Sequence, residues 1–586
     1  MCGIFGFVSN RDHSANEILE GLKLLEYRGY DSWGVAVKDG SQIFVDKNIG
    51  KIGTAKLKPR QSNVGIGHTR WATHGGVTVE NAHPHVDCQK TIAVVHNGII
   101  ENYQELKIDL TKKGHKFISE TDTEVFAHLV EEFLKKDDFA TAVRQAFNAI
   151  QGLNAVVVMS SLSSEIVAAK TGSPLIVGIG DKEFFISSDV SGISEHTSKA
   201  LFLKDNEMVV LGKELQLISL PKGNKLVPRL EEIEDREADK GKGEYSHFML
   251  KEIMEQPAIL QNIAENYEDI AQNLGDKIKK AYGTYFVGAG TAFYACLAGT
   301  YLFSKIAKVH VNTAPASEFN YLEDFLTPKS LVIGLSQSGE TIDVIEPLQM
   351  AKSKKAKIIA VTNAKGSTIY RMADEKILLN AGMEKAVAST KAYLAKLSIL
   401  LMLAFAMKGQ IKKAQELLQQ TAKEILRIFS AEYLKQIQTL AKLMQSKEHV
   451  FIIGRGMSYP TALEAALKIR EVSYLHAEGI AGGELKHGPI ALIEKGTPCI
   501  VFAPNDETYA AIMSNAMEIK ARGGVIIGIS YKNSEVFDYF LEVHDLEEAT
   551  ILAQIVPLQL LAYYIAVNKG FDPDKPRNLA KSVTVR

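Results

Sequence analysis

Thr284-Tyr285-Phe286-Val287-Gly288-Ala289-Gly290 and Val450-Phe451-Ile452-Ile453-Gly454-Arg455-Gly456 share one pattern, a short apolar β-type run ending in Gly-x-Gly, 166 residues apart. Two more pairs keep step, Glu340-Thr341 with Glu507-Thr508 at 167 and Ile358–Val361 with Ile526–Ile529 at 168. A nearly constant offset at three strand ends marks two copies of one unit. In each copy strands alternate with long amphipathic helices, the pattern of a parallel sheet covered on both faces. This part of the chain is therefore expected to form two doubly wound α/β domains, residues 248–432 and 433–573, followed by a tail at 574–586.

Upstream the style changes. Residues 1–238 hold short β-type runs at Ile4–Val8, Gly34–Val37, Val64–Gly67, Ile92–Val95, Ala155–Met159 and Glu183–Ser187, with helical stretches at Ala15–Tyr27 and Thr123–Lys135. Few crossover helices and many short strands predict a mixed sandwich. The charged, glycine-broken stretch Glu231–Gly243 is too polar to pack a core, so a linker is expected at 239–247.

Composition narrows the partners. A chain of 586 residues suggests several domains, and 46% hydrophobic with 23% charged residues is ordinary globular composition. A net charge of −2 supplies no basic field for nucleic acid or an anionic membrane, so any anion must be held by a local site. Cys2, Cys88, Cys296 and Cys499 lie far apart without CxxC spacing, which argues against a disulfide framework or zinc knuckle and for a reducing, cytoplasmic setting. The apolar stretch Cys2–Val8 is short and lacks a preceding basic segment, so no secretory signal is expected. Leu397–Met407, bounded by Lys396 and Lys408, and the interrupted Ile551–Val567 both fall short of the ~18–20 apolar residues of a membrane span. They are expected to be buried helices, with no membrane as partner.

In the first copy, Leu331–Leu335 reads as a strand running into Ser336-Gln337-Ser338-Gly339-Glu340-Thr341, with a helix starting near Thr341. Open α/β sheets bind ligands at the carboxyl ends of their strands, and a helix N-terminus offers N–H groups to an anion. Three hydroxyls and an amide could hold a phosphate without lysines. A capping box using Glu340 is the structural alternative. The second copy has Ala503-Pro504-Asn505-Asp506 at this turn and has lost the serines, so one copy holds the anion. Val387-Ala388-Ser389-Thr390-Lys391 adds hydroxyls beside another helix start, with capping again the alternative. Gly288-x-Gly290 is followed by Phe293 where a dinucleotide-binding fingerprint needs glycine, so NAD is not expected.

The chain opens Met1-Cys2-Gly3-Ile4-Phe5-Gly6. Removal of Met1 would leave a thiol and an α-amino group of reference pKa about 7.7–8.0 in one residue, a nucleophile with its own base.

Taken together, Cys2-Gly3-Ile4, His68-Thr69-Arg70-Trp71-Ala72-Thr73-His74-Gly75, Asn97-Gly98 and Thr121-Asp122-Thr123-Glu124 resemble a class II glutamine amidotransferase, an αββα sandwich of the N-terminal nucleophile hydrolase type. Ser336–Thr341, His476-Ala477-Glu478, Glu484-Leu485-Lys486-His487-Gly488-Pro489 and Lys575–Val585 are similar to tandem sugar isomerase domains. The combination covers essentially the whole chain and resembles the family of isomerizing glutamine-dependent sugar-phosphate aminotransferases. The resemblance implies L-glutamine and D-fructose 6-phosphate as substrates, L-glutamate and D-glucosamine 6-phosphate as products, no metal, redox or other cofactor, and a homodimer.

Roles follow from the same resemblance. Cys2 is the nucleophile, Asn97 and Gly98 bind the oxyanion, Arg70 pairs with the glutamine carboxylate and Asp122 with its ammonium, and Trp71, Thr73 and His74 line the pocket. Thr291, Ser336, Gln337, Ser338, Thr341, Val387 and Ser389 are the expected sugar-phosphate contacts. Lys581 forms a Schiff base with C2, Glu471 moves a proton between C1 and C2 with Lys468 on the same helix face, and His487 opens the ring and is the histidine borrowed across the dimer interface. Trp71 gates an internal passage for ammonia that Ala580 and Val583 line. His68, His74, His83 and His85 lack a metal-ligand spacing such as HExxH, and no metal is expected. Competing readings are a phosphoribosyl pyrophosphate amidotransferase, whose acidic-pair loop is missing, a sugar-phosphate-binding regulator, and a related amidotransferase or deglycase acting on another keto-sugar or fructosamine phosphate.

Overall fold

The computed structural model describes residues 2–233 and 241–583. Met1, residues 234–240, which hold the end of the expected first domain and the first two positions of the expected linker, and residues 584–586 of the tail lie outside the described residues. Of the described residues, 2–233 group with 580–583 as one compact unit and 241–579 form another.

Two antiparallel sheets build the first unit. Strands β1 (Gly3–Ser14) and β2 (Gln61–Arg70) pair at the centre of an eight-stranded sheet, flanked by Glu183–Ser187 on one side and Ser32–Asp39 on the other. Strands β3 (Ile92–Gly98) and β4 (Asn154–Ser160) pair within a seven-stranded sheet that His85–Val86 ends. The period-2 pattern decides the layers. Ile4 and Val8 enter the core between the sheets together with Ala93, Val95, Ala155 and Val157. Phe5 and Phe7 point the other way, against helix α1 (Ala15–Leu25), while Ile92, Val94, Val156 and Val158 meet Phe126 and Val130 of the outer helices. The outer helices are α2 (Tyr103–Lys112), α3 (Thr123–Leu134) and Phe139–Ala149. The result is the expected αββα sandwich.

Helix α1 is started by a reciprocal capping box between Ser14 and Glu17. It ends at Leu25, two residues before the expected Tyr27, and a 3-10 turn over Glu26–Arg28 follows. A Cβ at Gly21 would lie 2.5 Å from the Phe5 ring, so this close helix-to-sheet approach requires glycine. Phe5 is fully buried there, and its truncation to alanine would cost about 3–5 kcal/mol.

The second unit contains the repeat as two five-stranded parallel sheets. The first is ordered Asn312–Pro315, β5 (Thr284–Gly288), β6 (Leu331–Ser336), β7 (Lys357–Thr362), Glu375–Leu378. The second is ordered His476–Ala481, β8 (His449–Gly454), β9 (Pro498–Ala503), β10 (Val525–Ser530), Tyr539–Glu542. Each therefore has a switch point where chain order reverses, between its first and third strands in sequence, and ligands bind at such points. Helix α4 (Thr291–Leu302) follows β5, α5 (Ile342–Ser353) follows β6, and α7 (Ser458–Ser473) follows β8, with α6 (Lys391–Lys408) between the copies.

Two expectations about apolar helices need correction. Helix α6 starts at Lys391, and Lys396 lies buried inside it instead of bounding it. The Ile551–Val567 region belongs to a helical stretch Glu547–Asn568 whose most apolar 18-residue window has a mean hydropathy of 1.7, long and apolar enough by composition to cross a membrane. Its burial supports the core-helix reading, since 89% of the most apolar window is buried. Gln554 and Gln559, which interrupt the run, are buried and partnered there by Ser458 and Gln256.

Candidate active sites

In the first unit Cys2 immediately precedes β1 and opens onto a cleft of about 420 Å³. Its Sγ accepts a hydrogen bond from the Trp71 N–H at 3.3 Å, and its carbonyl accepts one from Asn97 Nδ2 at 3.0 Å. The Gly3 N–H donates to Thr69 Oγ1 at 3.0 Å, which fixes the start of the strand against β2. Burial pushes the Cys2 thiol above its ordinary value, and the Trp71 N–H and the Arg70 charge pull downward without cancelling that. A thiol held protonated requires a base before it can attack.

Asn97 sits at the end of β3 with its amide orientation set from behind. His68 Nε2 lies 3.1 Å from Asn97 Oδ1 and 3.0 Å from the His96 carbonyl. Both partners are acceptors, so Nε2 carries the proton, and burial pushes His68 down to about 3, keeping the ring neutral. The His83 ring stacks on it with centroids 4.1 Å apart. Asn97 therefore turns its Nδ2 donor toward Cys2. Gly98 follows with φ +142, and a Cβ there would lie 2.5 Å from the Leu153 carbonyl oxygen. A side chain at Gly98 would therefore displace this strand end.

Arg70 at the end of β2 is buried and reaches along the loop that follows. Its guanidinium donates to the Gly76 carbonyl at 3.1 Å and to the carbonyls of Gly75 and His74. The residue expected to pair with a carboxylate thus also shapes the Thr73–Gly76 loop. Asp122 precedes α3 and accepts the Ile100 N–H at 2.7 Å instead of capping its own helix. All eight residues expected around glutamine line this one cleft, Trp71, Thr73 and His74 included. His96 lies beside them, neutral through burial and bridged to Thr123 at 2.8 Å and Asn154 at 2.9 Å.

In the second unit, the two helices that follow the first strand of each repeat copy meet. Lys468 Nζ, fully buried on α7, donates to Glu471 Oε2 at 2.6 Å and to Thr291 Oγ1 of α4 at 3.0 Å. Glu464, one turn before Lys468 and also fully buried, lies 3.5 Å from it and accepts from Thr291 Oγ1 at 3.2 Å. Burial opposes the Lys468 charge, but the surrounding carboxylates outweigh it and hold the lysine above its ordinary value. Burial raises Glu464. The open member is Glu471, whose side chain keeps 21% exposure.

The Ser336–Thr341 loop leaves β6 as expected, and α5 begins at Ile342. Ser336 Oγ accepts the Gly339 N–H at 3.0 Å and pairs with Thr341 Oγ1 at 3.2 Å. Gly339 has φ +64, and a Cβ there would lie 2.0 Å from Ser367 Oγ. The capping-box alternative is not formed, because Glu340 turns away to accept the Thr368 N–H at 2.8 Å. Ser389 donates to Glu384, which also accepts the N–H groups of Thr390 and Ala392 at the start of α6. The Val387 N–H goes to the Asp574 carbonyl at 2.9 Å. Buried Glu384 thus ties Ser389 to the helix start and contributes to the raised Lys468.

A glutamine amidotransferase domain family matches residues 68–195, and a SIS domain family matches residues 277–406 and 442–569. Glutamine–fructose-6-phosphate aminotransferase (isomerizing) of Thermococcus kodakarensis is 42% identical over the full length of both chains. The chain belongs to the glutamine–fructose-6-phosphate aminotransferase (isomerizing) family. The Pyrococcus horikoshii member is 43% identical, again over 100% of both chains. The solved C-terminal domain of glucosamine-fructose-6-phosphate aminotransferase from Francisella tularensis is 32% identical, with TM-score 0.54, and is covered completely by 57% of this chain.

Against the expectations for this family, the second unit joins Lys468, Glu471 and Thr291 directly and places the serine loop at the end of the neighbouring strand. His487 is exposed at the end of a 3-10 turn and has no hydrogen bond to the Lys468 cluster among the described residues, so it is not a buried structural histidine. Lys581 is half-buried in the irregular stretch Ala580–Val583, which groups with the first unit. Sequence reasoning missed Glu464 and Glu384. Glu464 was discoverable from its i, i+4 spacing to Lys468 on a predicted helix, whereas Glu384 lies in an irregular segment with no periodic signal.

Proposed function

We propose that the chain transfers the amide nitrogen of L-glutamine to D-fructose 6-phosphate and isomerizes the product, releasing L-glutamate and D-glucosamine 6-phosphate. The gathering of Cys2, Asn97, Arg70 and Asp122 around one cleft, in a chain of this family, carries the reading. Removal of Met1 frees the Cys2 amine, which takes the thiol proton as sulfur attacks the amide carbon. Asn97 and the Gly98 N–H receive the tetrahedral oxyanion. The proton returns to nitrogen, ammonia leaves, and water hydrolyses the thioester to glutamate. Because burial holds the thiol protonated, glutaminase kcat/KM is expected to rise with pH through the amine's titration, around its reference value of about 7.7–8.0, and to fall toward acid. A profile flat from pH 6 to 9 would contradict this base assignment.

In the sugar half, the Ser336–Thr341 loop, with Thr291, Val387 and Ser389, holds the phosphate end. His487 opens the ring and Lys581 condenses with C2. Ammonia carried internally past Trp71, Ala580 and Val583 displaces the lysine, which leaves nitrogen on C2. Glu471 then removes a proton from C1 and returns one to C2, with Lys468 orienting its carboxylate. Catalysis proceeds in a cytoplasmic homodimer in which His487 completes the partner's site.

Asn97→Ala is expected to lower glutaminase kcat about 10²–10³-fold with KM for glutamine nearly unchanged, and His68→Ala to lower it less, through disordering of the Asn97 amide. Steady-state glutamate release separates the two constants. Substrate choice is tested by supplying glutamine with fructose 6-phosphate, other keto-sugar phosphates and fructosamine phosphates. Glucosamine 6-phosphate as the dominant product supports the reading, and efficient turnover of another sugar in its place would overturn it.

A further inference from the structure

We infer that the first unit carries a zinc site built by Cys88, His115, His128 and Glu131, on segments outside the glutamine cleft. One ligand atom from each of these four lies within 4.8 Å of all the others, the one such group among the described residues. Cys88 Sγ is 3.9 Å from His115 Nδ1 and 3.7 Å from His128 Nδ1, and Glu131 Oε2 is 2.9 Å and 3.2 Å from the same two nitrogens. Ligands at zinc distances of about 2.0–2.3 Å on a tetrahedron are separated by about 3.3–3.8 Å, so modest movement of these atoms would seat the ion. A thiolate, two imidazoles and a carboxylate form a donor set that suits zinc over magnesium or calcium.

The outer shell has the form that zinc histidines need. Both Nδ1 atoms face the centre, so both rings must carry their proton on Nε2. His115 Nε2 meets Glu132 Oε2 at 3.1 Å, and His128 Nε2 faces Glu124 Oε1 at 3.7 Å. Carboxylates behind both ligating histidines fix the tautomer and ring orientation. Both histidines are buried, while Cys88 is exposed at the rim, which gives the ion a way in. The Cys88 turn is rigid already, since the Asp87 carboxylate accepts the N–H groups of Thr91 and Ile92 at 2.7 Å each.

On binding, Cys88 releases its thiol proton to solvent and any ring protonated at Nδ1 against Glu131 releases that proton too, so that thiolate plus Glu131 carboxylate balance the dipositive ion. The ion would clamp the Cys88 turn and His115 to α3, the helix that Asp122 of the glutamine cleft immediately precedes. The role is structural, because all four positions are filled by protein.

The chelator-treated full-length chain is titrated with zinc chloride, and in parallel with cobalt chloride to read the thiolate-to-cobalt charge-transfer absorption. One equivalent per chain is expected, with a cobalt band and a zinc-dependent rise in melting temperature that persist in Cys2→Ala and vanish in Cys88→Ser. Glu132→Gln should weaken zinc binding about 10–100-fold. Absence of stoichiometric binding in the wild-type chain, or a band that Cys88→Ser and His115→Gln both leave intact, would overturn the site, as would loss of the band in Cys2→Ala.

Discussion

Cys2→Ala is expected to reduce glutamine hydrolysis about 10⁴-fold or more while fructose 6-phosphate binding stays within about twofold of the original. The size follows from removing the atom that forms the covalent bond, since loss of a nucleophile removes the route and not merely one stabilising contact. Truncation at the open end of β1 leaves the packed residues Gly3, Ile4 and Phe5 untouched, so the fold should persist. Glutamate release and calorimetric titration with the sugar phosphate measure the two effects separately. Residual hydrolysis near the original rate would remove Cys2 from the mechanism, and loss of sugar binding would show that the substitution damages more than the cleft.

Glu471→Gln is expected to lower amino-sugar formation about 10²–10⁴-fold, the usual worth of a positioned base, while leaving glutaminase kcat within a few fold. The substitution keeps the shape and a hydrogen-bond acceptor for Lys468 but cannot take a proton from C1. Deuterium at C1 of the substrate gives the sharper readout. If Glu471 carries that proton, exchange of the C1 label with solvent falls along with product formation. Unchanged C1 exchange would move the role elsewhere, with Glu464 next to be tested, since it contacts the same lysine.

Legibility in the sequence tracked how local the physics was. The two repeat copies were readable because each strand end carries its own glycine and apolar signature, and both became five-stranded parallel sheets. The gathering of the expected Cys2, Arg70, Asn97 and Asp122 around one cleft was readable because they sit in short contiguous motifs at the ends of strands and at a helix start, whose geometry short segments fix. Where side chains from distant segments converge, the sequence was mute. The orientation of Asn97 depends on His68 across two sheets, and the Cys88 cluster draws on a turn, a loop and α3. Hydropathy counting misjudged α6 at Lys396, because a charge that ought to bound an apolar run was buried inside it. The capping reading of Glu340 failed for a similar reason, since Thr368 from another segment competes for that carboxylate.

The central claim is that one chain takes nitrogen from glutamine through Cys2 and delivers it to C2 of a ketose phosphate. Incubation with amide-¹⁵N glutamine, fructose 6-phosphate and excess unlabelled ammonium, followed by mass spectrometry of the amino sugar phosphate, tests it most directly. Glucosamine 6-phosphate carrying one ¹⁵N with little dilution by the ammonium pool is the predicted result. Labelled glutamine consumed without amino sugar, or product carrying the isotope ratio of the bulk ammonium, would contradict the account.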